Sequence, residues 1–214
     1  MTRKVFWDEP YRTTLDTVVS QVDGDRVQVE STIFFAFSGG QESDDGSLGG
    51  YPVIKAEKLD LDIVYTLPHD HSLRVGDCVT WRIDWDRRYR LMRLHFAAEM
   101  VLQLVYRLRP GIERIGAHIA QDKARIDFAS DVSLAPLFPE IESEAANLIA
   151  RDLPILTDFS DVETQRRYWR VEGFAMMPCG GTHPTSTREI GAVKLKRKNT
   201  GRAKERIEIL LVDV

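Results

Sequence analysis

The chain is poor in cysteine, with two thiols, Cys78 and Cys179, in 214 residues. That excludes the disulfide framework that staples small secreted domains, and a reducing compartment would disfavour pairing of the two. Long hydrophobic runs are missing as well. No stretch approaches the roughly 20 apolar residues needed to span a bilayer. Met1-Thr2-Arg3-Lys4 leads through Val5-Phe6-Trp7 to Asp8-Glu9 rather than to an apolar signal core. The expectation is a cytoplasmic protein without a membrane partner. Excess positive charge is also lacking: a formal charge of -4 counts mildly against a nucleic-acid binder, which is usually basic. There is no internal repeat and no low-complexity tract.

What is present is a composition suited to folding, 43% hydrophobic and 29% charged, in a chain long enough for one large domain or two small ones. The first ninety residues are β-rich. Two β-branched runs between Arg12 and Val29 flank the turn signal Asp23-Gly24-Asp25. Further strands are expected at 51–56, 59–66 and 79–84. From Leu91 the period becomes helical, with apolar residues at Leu91, Met92, Leu94, Ala98, Val101, Leu102, Val105 and Leu108, and Pro110-Gly111 ends the helix. Strands at 112–119 and 124–128, a helix at 137–152, a strand at 168–174 and a strand pair at 189–196 and 206–214 around Asn199-Thr200-Gly201 complete the pattern. The expected fold class is α+β. A small β-barrel-like N-terminal subdomain (1–88) precedes a mixed α+β, two-layer-sandwich subdomain (89–214), with Trp85 to Tyr89 as the boundary.

Three clusters carry chemistry. His95 and Glu99, four apart on the expected helix, project from one face, and Gln103 extends that polar stripe. The rest of this helix is apolar nearly all round, so it is expected to be buried. A buried carboxylate must be paired, protonated or metal-bound. The bland alternative is a satisfied histidine–glutamate pair. In Pro178-Cys179-Gly180-Gly181-Thr182-His183-Pro184 a thiol and an imidazole four apart supply the ligand types zinc prefers. Two glycines there permit a tight loop whose N–H groups approach a ligand. A turn around a buried cysteine is the alternative. With the His95–Glu99 helix the loop makes a split metal site of His95, Cys179 and His183. In the third cluster, Thr32 through Gln41, an apolar strand enters a glycine loop; Thr32 offers a hydroxyl and Gln41 an amide, or the segment is a strand and its turn. The basic stretch Lys194, Lys196, Arg197, Lys198, Arg202, Lys204 and Arg206, against the single acid Glu205, is either a solvated hairpin tip or a phosphate-contacting edge. Cys78, His69, His71 and His118 are read as structural or surface residues.

In order and spacing these clusters resemble the free-standing alanyl-tRNA editing proteins of the AlaX type and the related editing domains of alanyl- and threonyl-tRNA synthetases. The resemblance runs over almost the whole chain. It is carried by Thr32 to Gln41 with Asp44 and Gly46, by Trp85 through His95, by Cys179-Gly180-Gly181-Thr182-His183 with Thr187, Glu189, Ile190 and Gly191, and by Lys194 and Gly201 through Glu208. It implies a metal-dependent aminoacyl-tRNA deacylase that takes the acceptor end of seryl- or glycyl-tRNA for alanine and holds one zinc ion per chain. Under that resemblance His95, Cys179 and His183 are ligands, and Glu99 is the fourth ligand or a base. The N–H groups of Gly180 and Gly181 face an oxyanion, and Thr32, Gln41 and Thr182 contact the aminoacyl group. Two departures stand out: Glu99 where the family's first motif has a second histidine, and Phe37-Ser38 within the glycine run. The rival readings are a metal hydrolase of small esters or amides, and a non-catalytic relative that binds tRNA around a structural metal.

Overall fold

The computed structural model describes residues 1–199 and 201–212; Thr200 of the expected turn, and Asp213 and Val214 of the expected last strand, lie outside the described residues. The chain divides into two compact units, Met1–Ser38 with Glu42–Tyr89, and Gly39–Gln41 with Arg90–Val214. The α+β class expected from the pattern is the one observed.

In the first unit seven strands form one antiparallel sheet in the order Tyr51–Pro52, Gly46–Leu48, Cys78–Ile83, Thr14–Asp23, Arg26–Val29, Asp62–Thr66, Lys55–Leu59. The two outer strands are joined by Val53 and Ile54, whose N–H groups donate to Gly46 O and Thr66 O (3.0 and 2.9 Å). A two-residue link between the two edges forces the sheet to curl, yet among the described residues no ladder pairs them. The sheet is therefore curled, and strand pairing does not establish the barrel-like form expected of this subdomain. Its core is aromatic: the Tyr65 ring lies 4.6 Å from Trp81 and 5.6 Å from Phe34, centre to centre. The buried Tyr65 hydroxyl donates to Thr32 Oγ1 (2.7 Å), which also accepts from Phe34 N (3.0 Å).

Helix α1 spans Trp85–Leu108, six residues earlier than the periodicity predicts, so the expected boundary segment is its first turn. Asp84 starts it. The Asp84 carboxylate accepts from Arg87 N (3.1 Å) and its carbonyl from Arg88 N (3.0 Å), as an N-cap does. The hydrophobic pattern misses this turn because its inward residue is a charge. Arg88 is wholly buried and grips the equally buried Asp44 through Nε (2.7 Å) and Nη2, while Nη1 donates to Pro10 O (3.1 Å). Removing one partner of a buried pair strands the other charge. Arg88→Ala is therefore expected to destabilise the protein by about 3–5 kcal/mol in urea unfolding followed by circular dichroism. An Arg88→Met, Asp44→Leu double variant recovers much of that loss.

The second unit contains the rest of α1 and helix α2 (Phe138–Ala150). Its four-stranded antiparallel sheet runs in the order Glu113–Ile119, Ala124–Ala129, Lys204–Val212, Ala192–Asn199, and its three-stranded sheet is Leu156–Asp161, Arg166–Val171, Ala175–Pro178. One core joins them: Leu94, Phe96 and Val101 of α1, Ile141 and Leu148 of α2, Ile126, Ile207 and Ile209 of the larger sheet, and Trp169 of the smaller. The middle of α1 is buried on nearly every side, as its apolar composition requires. Two details differ from expectation. Thr187–Ile190 is a 3-10 turn rather than the start of a strand, because Ser186 and Glu189 close a capping box. Residues 156–161 form a strand that their polar sequence conceals. No helix among the described residues is long and apolar enough to cross a membrane.

Candidate metal centre

Helix α1 sets His95 and Glu99 one turn apart, with His95 Nε2 3.4 Å from Glu99 Oε1. The second half of the site grows out of the smaller sheet. Cys179 N donates to Arg167 O (2.9 Å) just beyond the strand end at Pro178. The loop that follows is tied down at its far end, where Ile155 N donates to Thr185 O (2.8 Å). Between these anchors the loop turns Cys179 and His183 towards α1. Cys179 Sγ lies 3.6 Å from His95 Nε2 and 3.5 Å from His183 Nε2, and His183 Nε2 lies 2.9 Å from Glu99 Oε2. Among the described residues these four side chains form the cluster able to hold a metal ion, with all ligating atoms within 4.8 Å of one another.

These separations suit a tetrahedral ion. Ligand bonds of ~2.0 Å to nitrogen or oxygen and ~2.3 Å to sulfur give edges of roughly 3.3–3.6 Å. Three of the four distances fall at that length, and the Glu99–His183 edge is somewhat shorter. The donor chemistry fits too: a thiolate and a carboxylate balance a divalent cation, and two neutral imidazoles complete the set, so the buried centre would carry no net charge. The hydrogen bonding is also incomplete without a cation. Despite its closeness to His183, Glu99 Oε2 is a buried oxygen with no properly directed donor, and His183 Nδ1 is likewise unsatisfied. Burial raises the Glu99 carboxyl, but the neighbouring His95 and His183 rings, chiefly by the charge they carry when protonated, outweigh it and hold it well below the ordinary range. Burial, reinforced by the Glu99 carboxylate, pushes the Cys179 thiol well above its usual range. Burial likewise lowers His183, against the opposing pull of the Glu99 carboxylate. A nearby cation is what would draw the proton from such a thiol.

Gln41 reaches this centre from the glycine loop. Gly40 O accepts from Ile119 N (2.8 Å), and Gly40 has φ +91° with Ala117 O only 2.6 Å from where a Cβ would stand. Only glycine fits there, and this close approach carries Gln41 inward. The Gln41 amide is fully buried, and Oε1 lies 2.6 Å from His95 Nδ1 and accepts from Thr182 N (3.2 Å). Its Nε2 donates to Thr182 Oγ1 (2.9 Å). Accepting from Nδ1–H fixes the tautomer whose Nε2 lone pair faces the cluster, an orienting role often seen behind metal-bound histidines. Gln41 and Thr182, expected at the aminoacyl group, thus hold each other and His95. The Gly181 N–H, expected to face an oxyanion, donates to Cys179 Sγ (3.3 Å). Thr32 lies in the first unit within the Tyr65 network.

Sequence reasoning missed Arg167. It is buried, donates to Thr157 Oγ1 (3.0 Å), packs over Phe159, and its charge opposes the upward shift of the Cys179 thiol. In Arg166-Arg167-Tyr168 nothing distinguishes it from its exposed neighbour. Cys78 is exposed, and His69 and His71 bond to Asp25 and Gly24, respectively, in the first unit.

Residues 167–208, which include Cys179 and His183, match the family described as the threonyl and alanyl tRNA synthetase second additional domain. Over its full length the chain is 32% identical to the whole of an alanyl-tRNA editing protein AlaX-M from Methanosarcina barkeri. It is 29% identical to the AlaX-M protein of Pyrococcus horikoshii, with 99% of this chain and 98% of that one aligned. An alanine–tRNA ligase from Ignicoccus hospitalis is 30% identical over 91% of this chain, which spans 24% of the ligase.

Proposed function

Because the chain belongs to the family of free-standing alanyl-tRNA editing proteins, we propose that it is a metal-dependent aminoacyl-tRNA deacylase that cuts the ester between a wrong amino acid and the tRNA 3′ end. The observation that carries the metal dependence is the convergence of His95, Glu99, Cys179 and His183, with all ligating atoms within 4.8 Å of one another. Relatives named as editing proteins support the reaction class. The substrate we assign is seryl- or glycyl-tRNA for alanine, the cofactor one zinc ion, and the setting the cytoplasm.

His95, Cys179 and His183 would hold the ion, with Glu99 at the fourth corner or serving as a base. The ion would supply Lewis-acid stabilisation or lower the pKa of a water. The chain's own groups do the rest. Gln41 holds the His95 proton at Nδ1, which keeps Nε2 free of one. Gly181 N–H steadies the thiolate by donating to Sγ. Thr32 Oγ1 already accepts from two donors, so its remaining valence is a proton to donate. That suits a serine hydroxyl over an alanine methyl, since a buried polar group left unpaired costs about 1–3 kcal/mol.

The placement of Glu99 favours one other reading, a closed four-ligand structural site with no open position. A panel of mischarged tRNAs decides between them. The expected result is release of serine or glycine, but not alanine, from tRNA for alanine, lost on treatment with a chelator and restored by zinc. Turnover that survives complete metal removal, or none with any mischarged tRNA, overturns the proposal.

A further inference from the structure

Resting on the tRNA-editing reading, we propose that the solvent face of the four-stranded sheet, built around Lys196, Lys198 and Lys204, is the surface that holds the phosphate backbone of the tRNA acceptor stem. In strand Lys204–Val212 the residues alternate: Glu205, Ile207, Ile209 and Leu211 are buried, and Lys204, Arg206 and Glu208 point outward. Register carries this face across the sheet, because directly opposed residues share a face. Lys198 opposes Arg206, which opposes Asp127. Lys196 opposes Glu208, which opposes Arg125, and Lys204 opposes Ala129. Five cations from three strands therefore project together.

Of the three acids that register places on this face, Glu113 lies on the edge strand opposite Ala129, and the other two are engaged. Asp127 takes two hydrogen bonds from Arg206 (2.5 and 2.9 Å), and Glu208 pairs with Lys123 (2.8 Å). Two bases of the same stretch are engaged elsewhere: Arg197 lies on the inner side against Glu205 (2.7 Å), and Lys194 pairs with Glu142 of α2 (3.0 Å). Lys196, Lys198 and Lys204 are exposed, and among the described residues none has a carboxylate within ion-pair distance. Like charges crowded on one face repel, and a polyanion is their complement. Strand geometry spaces Lys196 and Lys198 by roughly 6.6–6.8 Å, a row suited to repeated phosphates rather than to one small anion. Neither phenylalanine, tyrosine nor tryptophan occupies the outward positions of the four strands. The one ring there is the imidazole of His118, opposite Arg125, so cations dominate the face, which suits holding the backbone rather than reading sequence.

The test is the triple variant Lys196→Ala, Lys198→Ala, Lys204→Ala, compared with wild type by filter binding of tRNA from 50 to 200 mM salt and by deacylation kinetics. The log–log salt slope is expected to fall by about 2–3, close to one per phosphate lost, and KM for aminoacyl-tRNA to rise roughly 10- to 100-fold. Metal content and kcat are expected to stay as in wild type. A triple Lys→Arg variant should retain binding. A control lacking exposed cations of the first unit, Lys58→Ala, Arg74→Ala, Arg82→Ala, should keep the wild-type slope. If the Lys→Ala variant keeps the wild-type slope and KM while wild type edits normally, the sheet-face proposal alone is wrong. It is equally overturned if the control loses as much binding. If wild type neither binds tRNA in a salt-dependent way nor deacylates it, the editing reading fails and this proposal falls with it.

Discussion

Replacing Cys179 with alanine is expected to leave the purified chain without metal and to lower deacylation of its mischarged tRNA by more than about 100-fold, the upper end of what losing a group behind a metal ligand costs. The thiol is the one soft donor of the cluster and touches both imidazoles, at 3.6 and 3.5 Å. Its removal leaves two neutral rings and one carboxylate, so a divalent ion there would be buried with an uncompensated positive charge. The thiol also makes loading depend on pH in a definite sense. Burial and Glu99 push it well above its usual range, so at neutral pH the metal-free site is protonated at sulfur. Metal must expel that proton, and affinity therefore rises as pH rises until the metal-free thiol itself ionises. Wild type is expected to release about one proton per ion bound, and the variant none from this position. Elemental analysis, dye-monitored metal addition in weak buffer and single-turnover deacylation measure the three effects. Unchanged metal content together with unchanged turnover in the variant would show that the site has been misassigned.

How far the sequence discloses this molecule depends on whether a residue's partners are near in the chain. His95 and Glu99 are one helical turn apart, and Cys179 and His183 share a short loop, so each half of the cluster is visible as a spacing. Their convergence is not, because 84 residues separate His95 from Cys179; only the complementary donor types and the family resemblance suggest joining them. The α+β class and the Asp23–Asp25 hairpin turn are legible because alternation and turn chemistry are local. The start of α1 is hidden because Arg88 looks like a surface charge, whereas Asp44, 44 residues away, buries it. The strand Leu156–Asp161 is hidden because its side chains are mostly exposed and polar. Gln41 is conspicuous as an amide behind two glycines, and an amide suggests substrate recognition. Its bonds to His95 and Thr182, across 54 and 141 residues, have no local signature. The basic stretch shows the same limit: composition counts its charges, but only register tells Arg197 and Arg206, already paired, from Lys196 and Lys198.

Gly181 is where loop, helix and glutamine meet, and Gly181→Ala is expected to weaken metal binding and deacylation by about 10- to 100-fold, the range for disturbing a group behind a ligand. A methyl at this position would stand 2.1 Å from His95 Cε1, 2.5 Å from His95 Nδ1 and 2.8 Å from Gln41 Oε1. Neither neighbour has room to retreat, since Gln41 is wholly buried and His95 is 5% exposed. Either the imidazole turns and gives up its 2.6 Å bond to Gln41, or the loop lifts and takes Cys179 and His183 off their geometry. Gly180 is the internal control. A methyl there meets nothing within 4 Å and its backbone is not in the left-handed region, so Gly180→Ala keeps its N–H and is expected to bind metal as wild type does. Competition with a chromophoric chelator ranks the three proteins, and their thermal midpoints show whether any loss is one of folding. If both alanine variants hold the ion equally well, close packing of the loop against His95 is not what shapes the centre.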